Sequence, residues 1–144
     1  MAARRSARVL VVERDEALRR STADILTSAG YVVRAAGDPA SALAAAAELR
    51  PEVALVHVGL TDGWELVRVL RNDPITRACP IVATGGRPLA AHAREPMLAE
   101  VEAYLLKPSE PEFLLAVIVG ALGGGGVAER ASREMHVIPS PSDL

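Results

Sequence analysis

Three apolar runs in this chain end in residues that can do chemistry. Residues 9–12 (VLVV) run into Glu13, Arg14 and Asp15, residues 53–58 (VALVHV) close on His57, and residues 104–106 (YLL) run into Lys107, the sole lysine of 144 residues. A carboxylate, an imidazole and an ammonium group brought together admit several chemistries. Glu13, Asp15 and His57 could in principle ligate zinc, against the repulsion of their cationic neighbours. Arg14 and Lys107 could cradle an anion, or Lys107 could form a salt bridge to Glu13. His57 reads as a neutral imidazole filling space, as a pH-sensitive contact, or as a histidine phosphoacceptor. Arg14 and Lys107 disfavour its protonation while Glu13 favours it, so the sign stays open. Arg14 is either a solvated strand-end residue or a cation tied to Glu13 or Asp62 that locks one loop conformation.

These residues act together only if the fold brings them together. The β-branched run at 9–12 reads as a strand covered on both faces. Leu18, Thr22, Ile25, Leu26 and Ala29 recur at helical spacing, and Gly30 stands where a left-handed cap belongs. A second strand covers 31–34. Asp38-Pro39 starts an alanine-rich helix that runs to Arg50 and stops at Pro51. Strands follow at 53–58, 81–84 and 104–106. One helix starts near Trp64, with Leu66, Val67 and Leu70 on one face, and a last helix covers 110–122. Pro88 can open the fourth helix, but Pro96 leaves it short or broken. Five strands alternating with five helices make a doubly wound α/β fold, flavodoxin-like, with a parallel sheet in the order 2-1-3-4-5. Polar residues at the carboxyl ends of the strands then share one crevice.

The composition excludes several classes. The chain is 50% hydrophobic and 24% charged, as expected of one globular domain, and only 3% aromatic, so Ala, Val and Leu must build the core. A net charge of −2 gives no general attraction to nucleic acid. The one cysteine, Cys79, cannot form an internal disulfide, which fits a reducing cytosol. Residues 113–122 span about half the length a bilayer needs, and the apolar run near the N-terminus is too short for a signal peptide. A cytoplasmic protein with no membrane partner is expected. The first strand-helix turn, ERDEAL, has no glycine, so it is neither a dinucleotide fingerprint nor a phosphate loop. There is no Gly-x-Ser-x-Gly elbow.

Several weak signals agree in order and spacing over residues 7–122. They are Gly30-Tyr31 at the second strand, Asp62-Gly63-Trp64-Glu65-Leu66 at a helix start, and Tyr104 three residues before Lys107-Pro108. Together they resemble the receiver domain of bacterial two-component response regulators. The resemblance implies a Mg²⁺ held by acidic residues after the first strand, an aspartate phosphoacceptor at the end of the third, a hydroxyl after the fourth, and a switch aromatic and a lysine at the fifth. Transferred to this sequence, the acidic pair falls on Glu13 and Arg14 and the phosphoacceptor position on His57. The hydroxyl falls on Thr84 by local motif, or on Gly85 by counting from Pro80 or Lys107. Tyr104 and Lys107 match in kind. The loop VGLTDG is two residues shorter than is usual in the family.

The resulting expectation is a stand-alone pseudo-receiver. It would act as a protein-interaction module in phosphorelay-type signal transduction, with no enzymatic activity, no catalytic residue and no Mg²⁺ or other cofactor. Two alternatives remain: an anion or small-molecule sensor using Arg14 and Lys107, and a receiver phosphorylated elsewhere, such as at Asp15 or Asp62. Residues 1–6 are expected to be a flexible N-terminus and 123–144 a glycine-rich linker with a disordered tail, leaving no output domain that could bind DNA. The partner would be a histidine kinase, a downstream effector or a second copy. Leu115, Val119 and Leu122 form a second apolar stripe on the last helix, beside the stripe of Leu114, Val117, Ile118 and Ala121, and could carry a homodimer interface.

Overall fold

The computed structural model describes residues 7–59, 63–107 and 110–123. The expectations for 1–6, for the tail beyond Gly123, for Asp62 and for Pro108 fall outside them. Five strands, β1 (Arg8–Val12), β2 (Val32–Ala36), β3 (Val53–His57), β4 (Ile81–Gly85) and β5 (Ala103–Leu106), form one parallel sheet in the order β2-β1-β3-β4-β5. Four α-helices cover it: α1 (Glu16–Ser28), α2 (Pro39–Leu49), α3 (Gly63–Asn72) and α4 (Pro111–Leu122).

The helix expected in the fourth crossover does not form. Two 3₁₀ turns, Leu89–His92 and Pro96–Glu100, stand there instead. Pro96 supplies no amide hydrogen and its ring would clash one turn back, so the first segment cannot continue through it as one α-helix. The other helix ends follow local chemistry. Asp15 caps α1 by accepting from the Leu18 amide, and Asp38 caps α2 by accepting from Ser41, with Pro39 preset for the first turn. Gly30 takes the left-handed conformation after α1, at φ 102°. Arg50 does so after α2, at φ 52° and at a steric cost, with Pro51 blocking continuation.

Strand periodicity divides the core in two. Leu10, Val12, Ala54, Val56, Ile81, Ala83 and Tyr104 face α2 and α3. Val9, Val11, Val53, Leu55, Val82, Ala103 and Leu105 face α1 and α4. Because alternate residues point to opposite faces, both faces of the central strands must be apolar, and this is why those strands read as unbroken aliphatic runs. In α4, Leu114, Val117, Ile118 and Ala121 are buried against the sheet as the sequence predicts. Leu18, placed by its spacing on the buried stripe of α1, is instead 48% exposed.

Two contacts fix α3. The Arg71 guanidinium donates to the carbonyls of Arg77, Cys79 and Glu100, which ties the helix to both flanks of β4. At the other end, a Cβ on Gly63 would lie 2.2 Å from Val58 Cα and 2.7 Å from the His57 carbonyl oxygen. Backbone meets backbone there, so no side-chain motion can make room. Gly63→Ala is expected to push α3 off β3 and destabilise the domain by roughly 1–3 kcal/mol. Urea denaturation measures this, and an unchanged midpoint would show that α3 is free to shift.

Candidate functional site

Strand register delivers the candidate site. Val12 pairs with Val56, His57 with Thr84, and Gly85 with Leu106. Glu13, His57, Thr84 and Lys107 therefore end neighbouring strands at one edge of the sheet. Each also continues the alternation of the face that carries Val11, Leu55, Val82 and Leu105.

The Glu13 carboxylate is the centre of this group. It is 5% exposed, and its Oε1 accepts from Lys107 Nζ at 2.6 Å. Its Oε2 accepts from the Asp15 amide at 3.2 Å. The Lys107–Glu13 salt bridge expected from the sequence is therefore present. His57 Nδ1 lies 3.6 Å from the same Oε1, too far for a hydrogen bond, and 3.4 Å from Thr84 Oγ1. Burial lowers the His57 pKa below its ordinary value, and the Lys107 ammonium lowers it further against the opposing pull of Glu13. The imidazole is neutral near pH 7, which fixes the sign that the sequence leaves open.

The hydroxyl facing His57 belongs to Thr84. Gly85 points the other way, where a Cβ would strike the Tyr104 hydroxyl. Tyr104 is buried and donates to the Arg87 carbonyl, and burial pushes its pKa up to about 12.

Arg14 does not share the cavity of Lys107. It is exposed and lines a cleft of about 40 Å³ with Gly37, Asp38, Pro39, Gly63 and Leu66. Lys107 lines a cavity of about 170 Å³ on the α1–α4 side, and His57 borders both. Asp15 spends its carboxylate on the α1 cap, and the described residues contain no cluster of three His, Cys, Asp or Glu side chains able to hold a metal. On α4, Val119 is 49% exposed, while Leu115 and Leu122 are partly buried against the core.

Two side chains near the site escaped the sequence reading. Arg19 Nη1 donates to the carbonyls of Glu13 and Arg14 and so pins the turn that presents Glu13. Its position one turn inside α1 was the available signal, since helical side chains lean back over the preceding turn. His92, in the first 3₁₀ turn of the fourth crossover, accepts from Trp64 Nε1 at 3.2 Å and packs against Tyr104 at a ring separation of 5.2 Å. No periodicity marks it, because its segment is 3₁₀.

Residues 9–119 match the response regulator receiver domain. The chain is 36% identical over 116 residues to the response regulator PleD of Caulobacter vibrioides, covering 77% of this chain and 25% of that protein. It thus spans about a quarter of the length of that curated relative. Among solved structures, the chemotaxis response regulator CheY4 of Vibrio cholerae superposes with a TM-score of 0.72 at 28% identity, over 81% of this chain and 99% of that one. The receiver domain of the sensor histidine kinase PA1611 from Pseudomonas aeruginosa, which holds a magnesium ion in its active-site cleft, gives 0.74 at 25% identity, over 83% and 99%. The chain belongs to the response regulator receiver domain family of two-component signalling. No helix among the described residues is long and apolar enough to cross a membrane.

Removing Lys107 tests the electrostatics directly. Lys107→Met strands a buried carboxylate and is expected to cost about 3 kcal/mol in urea denaturation, with most of the loss recovered by adding Glu13→Gln. In the single variant the His57 imidazole should titrate at higher pH by NMR, because the ammonium's repulsion is gone and Glu13 remains. A downward shift would contradict the geometry. The suppressed His57 pKa also carries a stability signature. As pH falls through about 6.5 the unfolded chain takes up a proton that the folded chain refuses, so stability drops. His57→Asn should make that decline shallower.

Proposed function

We propose that this receiver domain acts as a protein-interaction module that carries no phosphoryl group at residue 57 and has no enzymatic activity. The observation that carries the reading is His57 itself. A neutral imidazole ends β3, beside a Glu13 carboxylate already paired with Lys107. Magnesium requires near-octahedral oxygen coordination. The described residues offer one buried carboxylate here, committed to an ammonium group, with Asp15 turned to the α1 cap. This donor set does not fit the ion. Lys107, which could otherwise meet phosphoryl oxygens, is held by Glu13. The split of Arg14 and Lys107 between two cavities weighs against a shared anion cradle.

Receiver domains work with histidine kinases and downstream effectors, and we assign this chain a partner of that kind or a second copy of itself. The outer side of α4, centred on Val119, is the surface we favour for that contact. The decisive experiment is incubation with acyl phosphate and Mg²⁺ followed by intact mass. The expected result is no mass gain, under conditions that phosphorylate a receiver with a complete acidic pocket. A gain lost in His57→Ala would make the histidine an acceptor. A gain kept in that variant would place the phosphate on another residue. Either outcome overturns the proposal.

A further inference from the structure

The cavity beside Lys107 is more than the crevice in which a receiver does its phosphate chemistry. It takes in about 170 Å³ between the sheet, α1 and α4. Its floor is aliphatic, formed by Val11, Leu55, Leu105 and Leu114. Its α1 wall carries the short side chains of Ser21 and Thr22, where larger ones would close the gap. Its polar end is formed by Glu13, His57, Thr84 and Lys107, and Glu13 and Lys107 are the only charged residues of the lining. An aliphatic cavity of about 150 Å³ is known to accept benzene, so the space suits one six-membered ring.

The polar end decides which ring. Glu13 and Lys107 compensate each other at 2.6 Å, leaving no net charge to attract an ion. A carboxylate entering here would meet Glu13, and an ammonium would meet Lys107. A neutral hydroxyl satisfies both, because it can accept from the ammonium and donate to the carboxylate. We propose that this cavity is a binding site for a small neutral aromatic alcohol of phenol size, with its ring on the aliphatic floor and its hydroxyl at the Glu13–Lys107 pair. The site does not depend on whether residue 57 accepts phosphate. It would give the domain a chemical input at the place where other receivers take a phosphoryl group.

The test titrates phenol, benzoate and benzylamine into the full chain, followed by amide chemical shifts of Val11, Leu55 and Leu105 and by melting temperature. Phenol should saturate and raise the melting temperature. The two ions should bind at least about tenfold more weakly, because each meets a like charge. Thr22→Leu fills the cavity from the α1 wall and should weaken phenol at least about tenfold without lowering the melting temperature. Ser21→Leu, at an exposed helical position, serves if the first variant folds poorly. The proposal is overturned if phenol does not saturate up to its solubility limit. It is also overturned if benzoate or benzylamine binds as tightly, or if a folded filled variant keeps full affinity.

Discussion

A carboxylate as deeply buried as Glu13 must have a cation, and Lys107 is that cation. The two residues lie 94 positions apart in the chain and meet at 2.6 Å across the edge of the sheet. Satisfying this one charge sets much of what surrounds it. Lys107 can reach Glu13 only if β5 ends level with β1, across β3 and β4, so the pair checks the alignment of four strands. Burial holds the His57 pKa below its ordinary value, and the paired ammonium lowers it further. The turn presenting Glu13 is in turn clamped by Arg19 and by the Asp15 amide. Removal of either partner costs more than the pair itself contributes, because a lone buried charge is worse than two apolar groups.

The same alternation that builds the core places the chemistry. Glu13, His57, Thr84 and Lys107 share a face because each lies an even number of residues beyond an inward-facing aliphatic. A shift of one residue in any strand would turn its site residue to the other side. Arg14 shows this: next to Glu13 in sequence, it borders a different cavity. A cation adjacent to the site in the chain is not automatically part of it.

The fold was legible in the sequence wherever burial imposed a strong period. The five strands, the cap residue Asp38 and the Pro51 stop all followed from local rules, and the sheet order followed from the strand-helix alternation and the crossover rule; the Asp15 cap was not read. The Glu13–Lys107 pair was among the readings the sequence offered, since charge types and topology both pointed to it. The sequence could not place His92, because a 3₁₀ segment has no amphipathic signature. It also could not decide between Thr84 and Gly85. That choice rests on which face each residue presents at the end of β4, and counting along the chain leaves it one residue uncertain. Leu18 misled because spacing alone cannot tell a core position from the rim of a cavity.

The contact between Trp64 and His92 has a practical consequence. Trp64 is the only tryptophan in the chain. It sits on α3, and its indole N–H is given to an imidazole in the fourth crossover, the segment that also holds the Arg87 carbonyl bound by Tyr104. With Nδ1 accepting, the imidazole proton lies on Nε2, which is covered and has no hydrogen-bond partner among the described residues. The indole emission of the native chain therefore originates from one environment, at the junction of α3, β5 and the crossover. Any rearrangement of that junction changes the polarity and quenching around a single chromophore. The protein carries its own fluorescent reporter at the joint between its helical layer and Tyr104, with no label to introduce.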